Sequence, residues 1–251
     1  MVDKKVYDTI YINGDSYSAL DGHLFSKLGD HKVYSDFLKN MCPDIKIINA
    51  AMSGSNNARI FRKSTEDLLT MSEKTFAVIG FSFTERQELW YTGNNPSRMC
   101  SKTNTHDFPI NSDLIDKLKF DTSIYYFYEQ ETNKDFNDPD IKNMITNKHQ
   151  SSTKNMTDFI FNLVQFAGFL KSNNIDYLLF RAAREEDMED LNWDFIKSTN
   201  AWKCIQQDSG ILDLDFSIPN FAADNNFSVT DTGHMYEDGH FAFAKYLKHY
   251  V

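Results

Sequence analysis

The chain has 251 residues, of which 41% are hydrophobic and 14% aromatic, a composition typical of a folded globular protein. Its formal net charge is −10, and the lysine and arginine residues are scattered among acidic ones without forming a basic patch. Because neutralisation of phosphates dominates binding to nucleic acids, this charge pattern argues against nucleic acid as a partner. The same pattern argues against an anionic membrane surface.

The cellular setting is predicted from what the sequence lacks. No stretch reaches the roughly 18 consecutive apolar residues of a membrane-spanning helix. The first residues lack the apolar segment of a signal peptide. The cysteines are Cys42, Cys100 and Cys204, without the spacing of a disulfide framework or a zinc site. We therefore expect a soluble protein of the cytoplasm or another intracellular compartment, with no metal and no membrane insertion.

The first third of the chain alternates between strand and helix patterns. Strands are predicted from runs of β-branched and aromatic residues, and helices from apolar residues three and four positions apart. The predicted elements are, in chain order, a strand over 6–13, a helix over 31–41, a strand over 45–48, a helix that begins near Asn56 or Asn57, and a strand over 75–81. The last of these is a continuous apolar run, typical of a strand covered on both faces.

Residues 82–152 differ from the rest of the chain. They are polar, rich in asparagine and aspartate, and only weakly periodic. We interpret this stretch as a long insert after the third strand, in which residues 114–129 have apolar positions at helical spacing. A lid over a binding site and a contact between subunits both remain open as its role, and the sequence does not fix the oligomeric state.

The alternation returns after the insert and defines the fold class. The predicted elements are a helix over 156–170, a strand over 175–180, a short helix over 202–207, a strand over 211–216 and a helix over 241–247. Strands that alternate with helices predict an α/β protein with a mainly parallel sheet and helices on both faces. We expect a single domain over residues 1–251.

Residues able to do chemistry lie where ligands bind in such folds, outside the carboxyl ends of the strands. Ser16 follows the first strand, and Asp231 and His234 precede the last helix. A serine becomes a nucleophile when a base takes its proton, and the base needs a third group to orient it. Ser16 alone is better explained as a turn residue or helix cap. Together the three residues predict a Ser16–His234–Asp231 triad.

These segments resemble the motifs of the SGNH (GDSL-type) hydrolases. Gly14-Asp15-Ser16 is similar to the first motif, with Ser16 at the nucleophile, and Asp231-x-x-His234 is similar to the last. The resemblance implies a flavodoxin-like three-layer α/β/α sandwich. It also implies ester hydrolysis through an acyl-enzyme without a cofactor. In the implied oxyanion hole, the backbone N–H groups of Ser16 and Gly54 are donors.

The third motif of the family departs from its pattern in this chain. The family has Gly-x-Asn-Asp, whose asparagine side chain donates to the oxyanion, whereas this sequence has Gly80-Phe81-Ser82-Phe83. The Ser82 hydroxyl is one replacement, and Asn56 or Asn57 from the neighbouring loop is another, although both are also candidates for a helix N-cap. Loss of one donor typically costs about 10²–10³ in rate. The departure therefore bears on catalytic power more than on fold.

Three functions are consistent with these residues. The first is a serine esterase acting on a small acyl ester, for example an O-acetyl sugar or another glycan ester. Glu85 and Arg86, just past the third strand, are then candidates for substrate binding, with a surface ion pair as the alternative. The second function is a catalytically weak or inactive binding or structural module on the same fold. Acyl transfer to an alcohol other than water is a third possibility.

Overall fold

The computed structural model describes residues 6–19, 32–53, 55–84, 87–91, 123–127, 152–183, 191–230 and 233–251, with 87–91 and 123–127 described by their backbone. The strands in these ranges are β1 (Thr9–Asn13), β2 (Lys46–Asn49), β3 (Thr75–Phe81), β4 (Gln87–Tyr91), β5 (Ser123–Phe127) and β6 (Asp176–Arg181). The helices are α1 (Tyr34–Met41), α2 (Asn57–Thr70), α3 (Ser152–Ser172), α4 (Trp193–Ser198), α5 (Asn200–Gln206), α6 (Ile218–Asp224) and α7 (Glu237–Lys248).

The main sheet of the described residues has four parallel strands in the order β2-β1-β3-β6. In the register, Ile10 on β1 lies between Ile47 on β2 and Phe76 on β3. The chain passes from β1 to β2 on one side and then to β3 on the other, so the strand order reverses next to β1. A crevice forms outside the carboxyl ends of the strands at such a point, which is where ligands bind in α/β sheets.

Helices cover both faces of this sheet, because successive side chains of a strand point to opposite faces. Tyr11 packs into a core with α2, α3, α4 and α5, whereas Ile10 and Ile12 pack into a second core with α1, α6 and α7. All three β1 side chains are fully buried, and burial stabilises each such side chain by about 1.5–3 kcal/mol. This arrangement confirms the predicted three-layer α/β/α sandwich.

The predicted helix over 114–129 is wrong at residues 123–127. These residues form β5, which pairs antiparallel with β4 in a separate two-stranded sheet. The segment reads SIYYF and its partner QELWY, and aromatic and β-branched residues favour strands. The remainder of the predicted helix lies outside the described residues.

The predicted last strand over 211–216 is reduced to one β-bridge, between Ile211 and Leu179 of β6. Asp213 ends the pairing, since its side-chain Oδ1 accepts a hydrogen bond from the Asp215 N–H at 3.1 Å and its carbonyl accepts one from the Phe216 N–H at 2.8 Å. An aspartate that bonds the backbone two residues further on favours a turn over a strand. The apolar pattern of the segment did not reveal this competing turn.

Within the described ranges, no helix is long and apolar enough to span a membrane.

Candidate active site

Ser16 lies in a tight turn directly after β1, at the crevice beside the strand-order reversal. The N–H groups of Ser18 and Ala19 both donate to the Asp15 carbonyl at 3.0 Å, and the Tyr17 N–H donates to Asp15 Oδ1 at 3.1 Å. Asp15 is fully buried, while Ser16 is half-buried. The turn therefore fixes the backbone and leaves the Ser16 side chain at the edge of the crevice.

Gly14 allows the end of β1 to approach the end of β3. A Cβ atom at this position would lie 2.8 Å from the Gly80 carbonyl oxygen and 2.8 Å from Ser18 Oγ. Both distances are too short for a carbon atom, so a larger residue would force the two strand ends apart. The glycine before Asp15 is thus required by packing at the site.

The His234 side chain, near the C-terminal end of the chain, contacts Ser16. Its Nε2 lies 2.8 Å from Ser16 Oγ, a hydrogen-bonding distance, and the residue is only 5% exposed. A short turn presents it: the Thr230 N–H donates to the His234 carbonyl at 2.8 Å, and the His234 N–H donates to Thr230 Oγ1 at 3.1 Å. Gly233 occupies the left-handed region of this turn with φ 80°, a conformation that favours glycine.

Tyr17 covers one face of the His234 imidazole. The two rings are stacked, with centroids 4.3 Å apart and planes within 9° of parallel. Tyr17 itself is 5% exposed and belongs to the core shared by α1, α6 and α7. Tyr17 was not predicted as a site residue, because its only sequence signal is an aromatic residue directly after the candidate nucleophile, and that signal does not specify a partner.

Ser82, directly after β3, forms a side-chain hydrogen bond to the turn that carries Ser16. Its Oγ donates to Asp15 Oδ2 at 2.7 Å. Its backbone is held by Asn57: the Ser82 N–H donates to Asn57 Oδ1 at 2.8 Å, and Asn57 Nδ2 donates to the Ser82 carbonyl at 3.0 Å. Asn57 Nδ2 also lies 3.4 Å from the Phe83 carbonyl. Asn57 therefore joins the start of α2 to the end of β3.

Asn56 is the N-cap of α2. Its side-chain oxygen accepts a hydrogen bond from the Arg59 N–H at 2.8 Å, which fixes the orientation of the amide plane. The side chain is fully buried, and its Nδ2 has no hydrogen-bond partner among the described residues. Buried side-chain donors of this kind are nearly always paired. Asn56 is thus a fixed donor with spare capacity in the loop that follows β2.

The loop after β2 is tied to the turn of Ser16 by direct hydrogen bonds. The Met52 N–H donates to the Gly14 carbonyl at 3.1 Å. Asn49 Nδ2 donates to the Ser18 carbonyl at 2.8 Å and to Ser35 Oγ at 2.9 Å. Asn49 is a second residue that the sequence analysis missed, because an asparagine at a strand end is also common in turns. The loops after β1, β2 and β3 therefore form one connected network.

Four of the predicted site residues fall outside the described residues, namely Gly54, Glu85, Arg86 and Asp231. The structure brings Ser16 and His234 together and places Ser82, Asn56 and Asn57 in the loops beside them. In the described part of the chain, no group of three or more His, Cys, Asp or Glu side chains is arranged to hold a metal ion.

No protein-family model and no curated protein matches the chain by sequence. A lipolytic protein of the G-D-S-L family from Desulfitobacterium hafniense is similar in structure, with a TM-score of 0.50, 10% identity, and 97% of this chain and 99% of that chain covered.

Two esterases are similar to the same degree. A psychrotrophic esterase from Pseudoalteromonas sp., inhibited by monoethylphosphonate, has a TM-score of 0.51 and 12% identity over 97% of this chain and 96% of that chain. An acetylxylan esterase from Geobacillus stearothermophilus has a TM-score of 0.50 and 10% identity over 96% of this chain and 93% of that chain. The chain thus has the fold of the SGNH (GDSL-type) hydrolases, as its motifs predicted.

Proposed function

We propose that the chain is a serine esterase that hydrolyses a small acyl ester through an acyl-enzyme. The observation that carries this proposal is the 2.8 Å contact between His234 Nε2 and Ser16 Oγ. A general base must lie within hydrogen-bonding reach of the proton it takes, and a serine needs such a base to become a nucleophile. Contact between residues 218 positions apart in sequence is not a consequence of local turn geometry.

In the proposed reaction, Ser16 Oγ attacks the ester carbonyl carbon while His234 Nε2 takes the hydroxyl proton. The carbonyl π electrons move to oxygen and form a tetrahedral oxyanion. When the oxyanion collapses, the bond to the leaving alkoxide breaks and His234 returns the proton to it. Water then attacks the acyl-enzyme with His234 again as base, and the acid leaves as Ser16 is regenerated. Asp231 is assigned the role of orienting the imidazole and stabilising the imidazolium.

The oxyanion is assigned to the N–H groups of Ser16 and Gly54 and to one side-chain donor, for which Asn56 is favoured. The Ser82 hydroxyl already donates to Asp15, and the Asn57 amide already donates to the backbone after β3. The Asn56 Nδ2 has no partner in the described part of the chain. An unpaired buried donor costs about 1–3 kcal/mol, and a developing negative charge would offset that cost in the transition state.

The proposed substrate is a small polar ester, and an O-acetylated sugar is the leading candidate. The similar structure from Geobacillus stearothermophilus is described as an acetylxylan esterase, which supports testing acetylated glycans first. Glu85 and Arg86 stay candidates for substrate contacts. Transfer of the acyl group to another alcohol would use the same acyl-enzyme, and a comparison of acyl acceptors separates it from hydrolysis.

The decisive experiment is covalent labelling with a fluorophosphonate probe, together with turnover of p-nitrophenyl acetate. Wild type should be labelled and should hydrolyse the ester, whereas Ser16→Ala should do neither. Ser18→Ala is the matched control, because this serine lies two residues away, is fully buried, and should leave labelling intact. Labelling that persists in Ser16→Ala, or folded wild type that is neither labelled nor active, would overturn the proposal.

A second candidate function is a binding module with little or no catalysis. The observation that favours it is the serine at the family's asparagine position, whose hydroxyl is held by Asp15 at 2.7 Å. This alternative predicts that acetylated glycans bind without being turned over. Calorimetric binding to folded wild type, in the absence of fluorophosphonate labelling, would distinguish it from the esterase.

A further inference from the structure

We propose that Tyr17 is a positioning residue that orients the His234 ring and stabilises its protonated form through the face of the phenol ring. This inference rests on the proposed function, since it concerns the base of the proposed reaction. It is carried by the parallel stack, with centroids 4.3 Å apart and planes 9° from parallel. Neither the motif resemblance nor the three candidate triad residues assign a role to this side chain.

The stack restrains the orientation of the imidazole ring. When the ring moves out of its plane it loses contact with the phenol face, whereas the nitrogens on its edges stay free of the stack and can form hydrogen bonds. The His234 edge that carries Nε2 is the one that meets Ser16 Oγ at 2.8 Å. Tyr17 is itself held, because it is 5% exposed and its N–H donates to Asp15 Oδ1. The nucleophile and the restraint on the base thus belong to consecutive residues of one turn.

The turn that carries His234 leaves space for the Tyr17 ring at Gly233. A Cβ atom at Gly233 would lie 3.3 Å from the Tyr17 hydroxyl oxygen, and Gly233 has φ 80°. The absence of a side chain there lets the phenol lie against the turn that carries His234. The stack is therefore a second contact between the turn of Ser16 and the turn of His234, in addition to the hydrogen bond between these two residues.

The stack also stabilises the positive charge of protonated His234. When His234 takes the Ser16 proton it becomes an imidazolium, and a cation over an aromatic face is attracted by the negative face of the ring. The attraction is larger where water is excluded, and both rings are nearly buried. Among the described residues, the nucleophile turn carries Asp15, and α7 carries Glu237, Asp238 and the buried His240 near its start and Lys245 and Lys248 in its last turn. They are unchanged in the variants below, as is Asp231.

The test compares the titration of the His234 imidazole by NMR in histidine-labelled wild type, Tyr17→Leu and Tyr17→Phe, with His234→Gln used to assign the signal. Loss of the ring in Tyr17→Leu should move the titration midpoint downward by roughly 0.4–1.5 pH units, the range expected for loss of a cation–π contact. Tyr17→Phe keeps the ring face and should restore the wild-type midpoint. Tyr250→Leu is the control and should change nothing, because this exposed tyrosine follows α7 and packs edge to face against Tyr246.

Activity gives the second measurement. A base that must be neutral to act has a rate that rises with pH through its titration, so the acid limb of kcat/KM should move down by the same amount in Tyr17→Leu. The plateau of kcat should also fall by about tenfold to a hundredfold through misplacement of the ring, with KM little changed. Equal midpoints and plateaus in Tyr17→Leu and wild type would overturn the inference, as would equal shifts in Tyr17→Phe and Tyr17→Leu.

A variant that keeps the shape of the ring covers the case in which Tyr17→Leu does not fold. Replacement of Tyr17 by pentafluorophenylalanine retains a flat ring but reverses the charge of its face. Its midpoint should fall below that of Tyr17→Phe, and an identical midpoint would refute stabilisation by the ring face. The NMR titration needs no turnover, so a chain without esterase activity would refute the proposed function while the stack is still tested.

Discussion

The Asn56 side-chain oxygen caps α2, and its Nδ2 is the proposed oxyanion donor. The two roles can be tested separately. Asn56→Ser keeps a good N-cap oxygen for the Arg59 N–H but removes the Nδ2 donor. If Nδ2 binds the oxyanion, kcat should fall by about 10²–10³, with KM nearly unchanged. The free energy of unfolding should not fall, because serine and asparagine cap helices equally well, and it should rise by up to about 1–3 kcal/mol because an unpaired buried donor is removed. Ester turnover and urea unfolding measure the two effects.

Ser82→Ala is the comparison for Asn56→Ser, since both residues are candidates for the same donor. The Ser82 hydroxyl is used at 2.7 Å by Asp15, so its loss should reduce kcat less than Asn56→Ser does. The reverse order of the two rate losses would assign the oxyanion donor to Ser82 and leave Asn56 as a cap alone.

The contact between Ser16 and His234 was predictable because each residue lies in a short motif with a chemical reason for its residue type. The side chains around them were not predictable in the same way. The choice between Ser82, Asn56 and Asn57 depends on which donors are already used by Asp15 and by the backbone after β3. Those hydrogen bonds join residues 25 and 67 positions apart, and neither composition nor spacing indicates them.

Among the elements, the start of α2 is hydrogen-bonded to the end of β3 through the Asn57 side chain, in addition to the packing of Phe61 against Phe81. The Asn57 amide exchanges hydrogen bonds with both the N–H and the carbonyl of Ser82. Asn57→Ala would leave buried backbone groups without these partners, and each such loss costs about 1–3 kcal/mol. We expect the free energy of unfolding to fall by about 2–4 kcal/mol in urea denaturation, and the proposed esterase activity to fall with it as the loops move apart.

Asn173→Ala is the matched control for Asn57→Ala. Its amide bonds the Phe169 carbonyl and Ser172 within the exposed end of one helix, so the free energy of unfolding should change by less than about 0.5 kcal/mol. Similar losses in the two variants would show that Asn57 does not link the elements. Strand and helix patterns predicted where α2 and β3 lie, but not that the Asn57 amide forms hydrogen bonds between their ends.

The two wrong element predictions have a common physical origin. Apolar spacing correctly predicted β1, β2, β3 and β6 and the helices α1, α2, α3, α5 and α7, whereas β4 and the short helices α4 and α6 were not predicted. It failed at 211–216, where the Asp213 side chain stabilises a turn, and at 123–127, where pairing with β4 decides the conformation. In both places a specific hydrogen-bond partner outweighs the pattern, and a pattern of residue types contains no information about partners.

Over the whole molecule, phenol–carboxylate hydrogen bonds join elements on different layers. Tyr11 of β1 donates to Asp67 of α2 at 2.9 Å, and Tyr177 of β6 donates to Asp208 beyond α5 at 2.7 Å. Burial raises the pKa of both tyrosines, and the neighbouring carboxylates raise it further. Tyr11 is fully buried, so its phenol stays neutral in the folded protein at a pH where the unfolded chain is ionised.

The sign of the resulting pH dependence follows from linkage. Below about pH 10 the phenols are protonated in both states, so this stabilisation is fully present. Above that pH the unfolded chain loses protons that the folded chain keeps, and the free energy of unfolding falls by about 1.4 kcal/mol per pH unit for each such tyrosine. Urea denaturation between pH 8 and 11 should show this decline, and in Tyr11→Phe its slope should be smaller by about 1.4 kcal/mol per pH unit.

Because phenylalanine cannot ionise, an unchanged slope in Tyr11→Phe would contradict a role for the Tyr11–Asp67 pair in alkaline stability. Tyr250→Phe, at an exposed position, tests whether loss of any tyrosine has the same effect, and we expect it to alter the slope less than Tyr11→Phe does.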